Sequence, residues 1–139
     1  MNLAQQLERE EGRRRSVYAD SLGYQTIGIG RLVDARKGGG LSDAEIDFLL
    51  ANDIKAKTAE VMAALPWAAS LSEPRQAVLI GMAFQLGTVG LLGFKNTLAS
   101  TARGDYAAGA AGMRASKWAR QTPARAMRMA DQMETGQWH

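Results

Sequence analysis

The pattern of apolar and polar positions begins with a short amphipathic helix. Leu3 and Leu7 are four residues apart, which places them on one face of a helix. Asn2 and Gln5 have the spacing of a capping box, and Gly12 is suited to end the element. The chain is therefore predicted to open with a capped helix of two to three turns.

The next stretch has the character of β-structure. Residues 16–33 are rich in β-branched and aromatic side chains and contain a turn sequence at 20–23. They predict a small hairpin or a three-stranded meander. Gly28 and Gly30 within it indicate either a bulge or a close approach to the backbone. Residues 37–40, a lysine and three glycines, predict a flexible loop.

From this loop to the end of the chain the apolar spacing is helical. Ser42 and Glu45 form a second capping box at the start of a long helix that Pro66 ends. The last predicted helix has Pro123 at its first position and stops at Gly136. The helices predicted between these two lie at 75–86, 88–92, 95–103 and 105–117.

This order of elements predicts an α+β fold that is mainly α. A small N-terminal β-hairpin lobe would cover about residues 13–50, and a long helix would connect it to a helical lobe. The helical lobe would cover about residues 66–139 and include the N-terminal helix. We expect a single domain of 139 residues, with a cleft between the lobes as the usual place for a substrate.

The composition limits the kinds of catalytic and metal-binding site that the chain can form. The chain has no cysteine, and its one histidine is the last residue, His139. Thiolate chemistry, Ser-His catalysis and multi-histidine metal sites are therefore poor fits. Acid–base chemistry would come from carboxylates, and we expect neither a metal nor a cofactor.

Charge and hydropathy indicate a class of partner. The net charge of +3 suits polyanionic envelope polymers, but the basic residues are dispersed, so nucleic acid is not expected. The first fifteen residues lack the apolar segment of a signal peptide. The longest apolar stretch, at 77–86, is interrupted and short, so stable membrane insertion is not expected either.

Two carboxylates and a hydroxyl near the hairpin are candidates for chemistry. Glu11 falls at the end of the first helix, where the helix dipole disfavours an ionised carboxyl, as a general acid requires. Asp20 lies in the turn, and Thr26 on the returning strand offers a hydroxyl to a water. Glycosidic cleavage uses two carboxyl groups in different protonation states. The spacing alone is equally compatible with two surface carboxylates beside a turn.

A resemblance favours the catalytic interpretation. Residues 11–30, with Glu11-Gly12, Tyr18-Ala19-Asp20 and the run from Gly23 to Gly30, resemble the active-site signature of the phage-type lysozymes, most closely those of the T-even phages. The similarity recurs in the same order at 82–87, 93–98, 116–118, 121–126 and 135–138. It therefore covers nearly the whole chain and implies a lysozyme-like, two-lobed fold.

The resemblance also implies an activity. The chain would be an endolysin-type muramidase that hydrolyses the β-1,4 linkage between N-acetylmuramic acid and N-acetylglucosamine in bacterial peptidoglycan, with inversion. Glu11 would be the general acid, and Asp20 and Thr26 would place the water. The glycan-binding residues would be Leu32, Phe84, Thr97, Gln121 and Arg125. We expect a monomer that accumulates in the bacterial host cytoplasm before it reaches the cell wall and causes bacteriolysis.

Three features depart from the family pattern. Arg31 stands where the family typically has histidine, so a structural ion pair is altered. Gly112 replaces a polar residue of the cleft, so that contact is not transferred. The segment at 33–41 is much shorter than its counterpart, which predicts a more open groove.

Other interpretations remain open at this point. The chain could be a non-catalytic peptidoglycan-binding or envelope-scaffold domain with a lysozyme fold, an alternative supported by the shortened lobe. It could also disrupt membranes through the basic region at 117–128, although the apolar face there is weak. Phe84 could be a core residue, and Trp118 and Trp138 are interpreted as core packing.

Overall fold

The computed structural model describes residues 2–139 and consists, over that range, of seven α-helices and one small antiparallel sheet. The elements in chain order are α1 (Leu3–Glu11), β1 (Arg14–Ala19), β2 (Gln25–Gly28), β3 (Arg31–Leu32), α2 (Asp43–Ala64), α3 (Glu73–Leu92), α4 (Lys95–Ala102), α5 (Tyr106–Arg114), α6 (Lys117–Gln121) and α7 (Pro123–Thr135). Short 3₁₀ turns lie at Ala35–Lys37 and Pro66–Ser70. The predicted α+β, mainly helical fold is confirmed.

The chain forms two compact units, which we call the N-terminal unit (Met1–Leu50) and the C-terminal unit (Ala51–His139). The boundary falls within α2, the long helix that the sequence predicted as a connection. Helix α1 belongs to the N-terminal unit, whereas the sequence analysis grouped it with the helical lobe. The treatment of the whole chain as one domain stays a prediction.

Helices α1 and α2 both begin at the predicted capping boxes. The side-chain oxygen of Asn2 accepts a hydrogen bond of 3.0 Å from the backbone N–H of Gln5, whose own side chain accepts from the Asn2 N–H at 2.8 Å. At the start of α2, Ser42 and Glu45 exchange the same two bonds, at 2.9 and 3.3 Å. Each box pairs backbone N–H groups that the first turn of a helix leaves without partners.

The sheet is a meander of order β1-β2-β3, which is the three-stranded form of the prediction. Thr26 on the central strand lies opposite Tyr18 on one side and Leu32 on the other. The pairing register shifts between Arg14 and Tyr18, which marks a bulge in β1. The predicted loop at 37–40 follows a 3₁₀ turn and is tied back to the sheet, because the N–H of Gly40 donates to the carbonyl of Leu32 at 3.0 Å.

The hydrophobic core lies in the C-terminal unit. Trp118 is 3% exposed and packs edge-on against Phe94, with ring centroids 6.0 Å apart, so its predicted place in the core is confirmed. The other large buried side chains are Val61, Leu65, Val78, Leu79, Met82, Leu91, Leu98, Met113 and Met133. The prediction for Trp138 was wrong, because this side chain is 62% exposed. Gly136 ends α7 in a left-handed conformation, and Trp138 follows it outside the core.

Helix α6 was not predicted from the sequence. The sequence analysis expected a single helix over 105–117, but α5 ends at Arg114. The hydroxyl of Ser116 then accepts the backbone N–H of Ala119 at 3.1 Å and caps α6. A serine that bonds to the backbone ahead of it competes with continuation of the preceding helix.

Helix α3 is the one helix in the described part of the chain that is long and apolar enough to cross a membrane by length and composition. Gly87, with φ of 77° and ψ of 160°, interrupts it at the break that the sequence predicted between residues 86 and 88. The longer segment, 73–86, therefore spans only about 21 Å, less than the roughly 30 Å of a bilayer core. Val78, Leu79 and Met82 are fully buried in the C-terminal unit, so we interpret α3 as a core helix.

Candidate active site

Helix α1 ends in glutamates whose surroundings differ. Glu8 is paired with Arg13, whose guanidinium lies 2.6 Å away, donates to this carboxylate and holds its pKa below the usual range. Glu10 is paired with Arg9 at 2.6 Å. Glu11, the last helical residue, is exposed and has no hydrogen-bonding or ionic partner among residues 2–139. Of these three carboxyl groups, Glu11 alone is therefore unengaged and available to a ligand.

The carboxyl group of Glu11 lies against the backbone of Gly30. A Cβ atom placed on Gly30 would be 2.7 Å from Glu11 Oε2 and 2.9 Å from Cδ, closer than real Cβ contacts. Gly30 also has a positive φ of 67°, which disfavours any other residue. The turn between β2 and β3 thus lies against one side of the Glu11 carboxyl group. Sequence analysis indicated a bulge or a close approach to the backbone at Gly30 but did not identify Glu11 as its neighbour.

Asp20 organises the turn that follows β1. Its Oδ1 accepts the backbone N–H groups of Leu22 at 2.9 Å and Tyr24 at 2.8 Å. The Asp20 N–H donates to the carbonyl of Tyr24 at 2.9 Å, and Gly23 supplies a positive φ of 84°. Oδ2 accepts no hydrogen bond from any described residue. One carboxylate oxygen therefore has a structural role, and the other is available to a water.

Thr26 is placed beside this turn by the strand register. Its hydroxyl donates to the carbonyl of Tyr24 at 3.0 Å, which leaves the oxygen lone pairs as acceptors. Thr26 pairs with Tyr18, two residues before Asp20, so Thr26 lies close in the sheet to the start of this turn. Thr26 is only 2% exposed, so a role of its hydroxyl in placing a water stays a prediction. Leu32, opposite Thr26, is partly buried.

Arg31 has a partner in spite of its departure from the family pattern. Its guanidinium donates to both carboxylate oxygens of Glu45, at 2.8 and 2.5 Å, and to the carbonyl of Gly40 at 2.9 Å. The backbone N–H of Ser42 lowers the pKa of Glu45, and the charge of Arg31 lowers it further against the opposing effect of burial. A bidentate ion pair therefore joins β3 to the start of α2.

The expected glycan contacts of the C-terminal unit lie in different surroundings. Phe84 is 49% exposed and lines a pocket of about 260 Å³ beside Lys57 and Glu60 on α2. Its exposure leaves an aromatic face available to a ligand. Thr97 is 5% exposed and packs directly beneath Gly112 of α5. Gly112 thus permits close helix packing at Thr97, and a glycan contact by Thr97 stays a prediction.

Gln121 and Arg125 are both exposed, at the end of α6 and in the first turns of α7. Arg125 lines a pocket of about 410 Å³ together with Gln85 and Arg128. The side chain of Gln85 accepts the indole N–H of Trp118 at 3.0 Å, which fixes its orientation. Sequence reasoning had missed Gln85, although it lies next to Phe84 in a segment of the resemblance.

The eight proposed site residues are thus divided between the two units. Glu11, Asp20, Thr26 and Leu32 belong to the N-terminal unit. The predicted residues in the C-terminal unit are Phe84, Thr97, Gln121 and Arg125. No group of three or more His, Asp or Glu residues with metal-binding geometry occurs within residues 2–139. The chemistry available in the N-terminal unit is that of two carboxyl groups and a hydroxyl.

Comparison with known proteins gives the family. The phage lysozyme family model matches residues 8–134. A probable T4-type lysozyme of Dictyostelium discoideum is 27% identical over 156 residues, covering 94% of this chain and 92% of that protein. The pre-baseplate central spike protein Gp5 of Enterobacteria phage T4 is 29% identical over 161 residues, covering 98% of this chain. The chain spans 28% of the length of that spike protein.

The lengths of these alignments bear on the shortened segment. An alignment over 161 positions exceeds the 139 residues of the chain, so this chain lacks residues that the spike protein has. The segment between β3 and α2 is the place where the sequence analysis expected a deletion. Because the family model covers most of the chain and includes Glu11, Asp20 and Thr26, the chain belongs to the phage lysozyme family.

Proposed function

We propose that this protein hydrolyses the β-1,4 linkage between N-acetylmuramic acid and N-acetylglucosamine in bacterial peptidoglycan. Membership of the phage lysozyme family supports a glycoside hydrolase. The observation that carries the proposal is the state of Glu11, which is exposed, has no polar partner in the described chain and lies against Gly30. Such a carboxyl group can exchange a proton with a bound sugar.

The proposed mechanism uses one carboxyl group on each side of the linkage. Glu11 donates its proton to the leaving glycosidic oxygen as the bond to the anomeric carbon breaks. Asp20 accepts a proton from a water, through the oxygen that the turn leaves unoccupied, while the water oxygen attacks the anomeric carbon. Thr26 positions that water as a hydrogen-bond acceptor. Leu32, Phe84, Thr97, Gln121 and Arg125 are proposed to bind the glycan.

The first test is whether glycosidic bonds break. Purified peptidoglycan incubated with the wild-type protein should release new reducing ends in proportion to time and protein concentration. A parallel incubation with heat-unfolded protein controls for reducing impurities. If no reducing ends appear with several peptidoglycan chemotypes, the proposal is wrong.

The stereochemistry of the product tests the direct attack of water. With inversion, hydrolysis of a β-linkage first yields the α-anomer at the new reducing end. Proton NMR of a fresh digest, recorded before mutarotation, distinguishes the two anomers. An initial excess of the β-anomer would indicate a covalent intermediate and would contradict the proposed role of Asp20.

A second candidate is a non-catalytic peptidoglycan-binding domain. It is favoured by one observation, the match to 28% of the length of a protein named as a central spike. Under this alternative, the protein would sediment with insoluble peptidoglycan without releasing reducing ends. Binding and release measured on the same samples therefore separate the two functions.

A further inference from the structure

The apolar side chains of the N-terminal unit do not form a filled core. Thr26 is the only fully buried residue among residues 2–50. The exposed large aliphatic side chains near the sheet and the start of α2 include Val17, Ile29, Val33, Leu41 and Leu49. Scattered exposed apolar residues are ordinary, but these five line one pocket.

This pocket has a volume of about 610 Å³, within the range of small-molecule sites. Ile27 and Leu32 complete its aliphatic lining, and the backbone of Gly28 and Gly40 contributes to its wall. Leu41, at its edge, is 50% exposed, which shows that the pocket opens to solvent. A ligand can therefore bury one end there and keep the other end in water.

The pocket is left unfilled because the connection between β3 and α2 is short. Ten residues, 33–42, join the two elements, and part of them forms the 3₁₀ turn at Ala35–Lys37. Gly39 lies so close to the carbonyl of Leu32 that a Cβ atom there would overlap it. The connection therefore lies close to β3 at Gly39. Its three glycines, 38–40, contribute no side chain to the pocket.

The polar groups near the pocket are already engaged. Arg31, the one charged residue of the lining, is bonded to Glu45 and to the carbonyl of Gly40. No buried side-chain nitrogen or oxygen in the described residues lacks a hydrogen bond. A sugar would find no unpaired side-chain donor or acceptor in this lining, whereas a hydrocarbon needs none. The lining therefore favours a hydrocarbon over a sugar.

We propose that this pocket binds the alkyl chain of a small amphiphile. The chain would pack on Val17, Ile27 and Leu49, and the polar head would remain in solvent beside Leu41. Apart from Leu32, none of the residues proposed for catalysis or glycan binding lines this pocket, so the proposal is tested separately from the assignment of Glu11.

A series of n-alkanols from butanol to decanol tests this directly. Methyl NMR spectra of the wild-type protein should show saturable shifts at Val17, Ile29 and Leu41. Each added methylene should tighten binding roughly fourfold until the chain outgrows the pocket, after which the affinity should level off. Absence of saturable shifts would overturn the proposal. So would an affinity that rises with chain length without levelling, because that indicates partition onto an open apolar face.

Matched variants locate the site. Leu41→Asp places a charge at the pocket edge and should weaken octanol binding at least about tenfold. Leu22→Asp makes the same change at a turn position that is 78% exposed and outside the pocket, and should bind octanol like the wild type. Equal affinity of the two variants would overturn the proposal.

A filled pocket provides a second, independent check. Val17→Phe adds volume to the lining and should abolish octanol binding, while the methyl spectrum of the C-terminal unit remains that of the folded protein. Undiminished octanol binding by this variant would overturn the assignment.

Phosphatidylcholine vesicles test whether a lipid bilayer is the source of the alkyl chain. Sedimentation of the protein with vesicles, without saturable alkanol binding, would likewise contradict a pocket for single alkyl chains.

Discussion

In the C-terminal unit sixteen apolar residues are at most 8% exposed, whereas among residues 2–50 only Thr26 is fully buried. The first region is held by apolar packing between helices. The second is held by capping boxes, turn hydrogen bonds and ion pairs such as Arg31–Glu45. The carboxyl groups proposed for catalysis, Glu11 and Asp20, both lie in the region without a filled core.

The residues that stabilise the fold and the residues proposed for catalysis therefore lie in different units. A packed core contributes the most free energy per residue, but it leaves no carboxylate accessible to substrate. The N-terminal unit instead fixes its functional side chains through local backbone geometry, with Gly30 against Glu11 and the turn N–H groups on Asp20. Substitutions in the two regions should therefore have effects of different size and kind.

The largest effect on stability should come from the C-terminal core. Leu79→Ala removes a fully buried side chain and should lower the free energy of unfolding by about 2–5 kcal/mol. Leu49→Ala, the same change at a partly exposed position of the N-terminal unit, should cost about 1 kcal/mol or less. Urea unfolding followed by circular dichroism measures both. Equal losses would remove the proposed contrast between the two units.

The next prediction distinguishes the effect of backbone strain on activity from the effect of displacing Glu11. Gly30→Ala and Gly28→Ala both place a Cβ atom at a positive φ, of 67° and 69°, and should each cost roughly 1–2 kcal/mol. Only Gly30→Ala meets another group, because the Cβ atom on Gly28 has open space. Displacement of Glu11 should then reduce reducing-end release by about 100-fold in Gly30→Ala alone.

The outcome that contradicts this account is a similar loss of activity in both glycine variants. That result would mean that the strained hairpin as a whole, and not the Glu11 contact, supports activity. Thermal unfolding of both variants must accompany the assay, since the comparison requires that each is folded at the assay temperature.

The smallest stability effect concerns the ion pair of Arg31 and depends on pH. Because the folded-state pKa of Glu45 is lowered, its ionised form stabilises the folded protein above the ordinary glutamate pKa of about 4.3. This contribution is lost as the pH falls through the lowered value. Wild type should therefore be more stable than Glu45→Gln at pH 6, and the difference should shrink below pH 4. A difference independent of pH would show that the charge of Glu45 contributes nothing.

The sequence predicted the elements whose ends are determined locally. Asn2–Gln5 and Ser42–Glu45 specify helix starts by side chains within one turn, and both boxes form. The break in α3 follows from Gly87, which adopts a positive φ. Such features depend on neighbouring residues alone, so they can be recognised without knowledge of the tertiary structure.

Features that depend on distant partners could not be predicted in this way. Trp138 was interpreted as core packing, but it follows the end of α7 and is 62% exposed. The contact between Glu11 and Gly30 joins positions nineteen residues apart, and the bond from Trp118 to Gln85 joins positions thirty-three apart. The sequence identified Glu11, Asp20 and Thr26 through a resemblance, because their spacing alone does not distinguish catalysis from a surface turn.

The most direct test of the central claim compares two adjacent glutamates of α1. Glu11→Gln removes the proposed general acid, and Glu10→Gln makes the same change at the residue paired with Arg9. Reducing-end release should fall at least about 100-fold in Glu11→Gln and stay close to wild type in Glu10→Gln, with both thermal midpoints unchanged. A Glu11→Gln variant that still releases reducing ends at the wild-type rate would contradict the account.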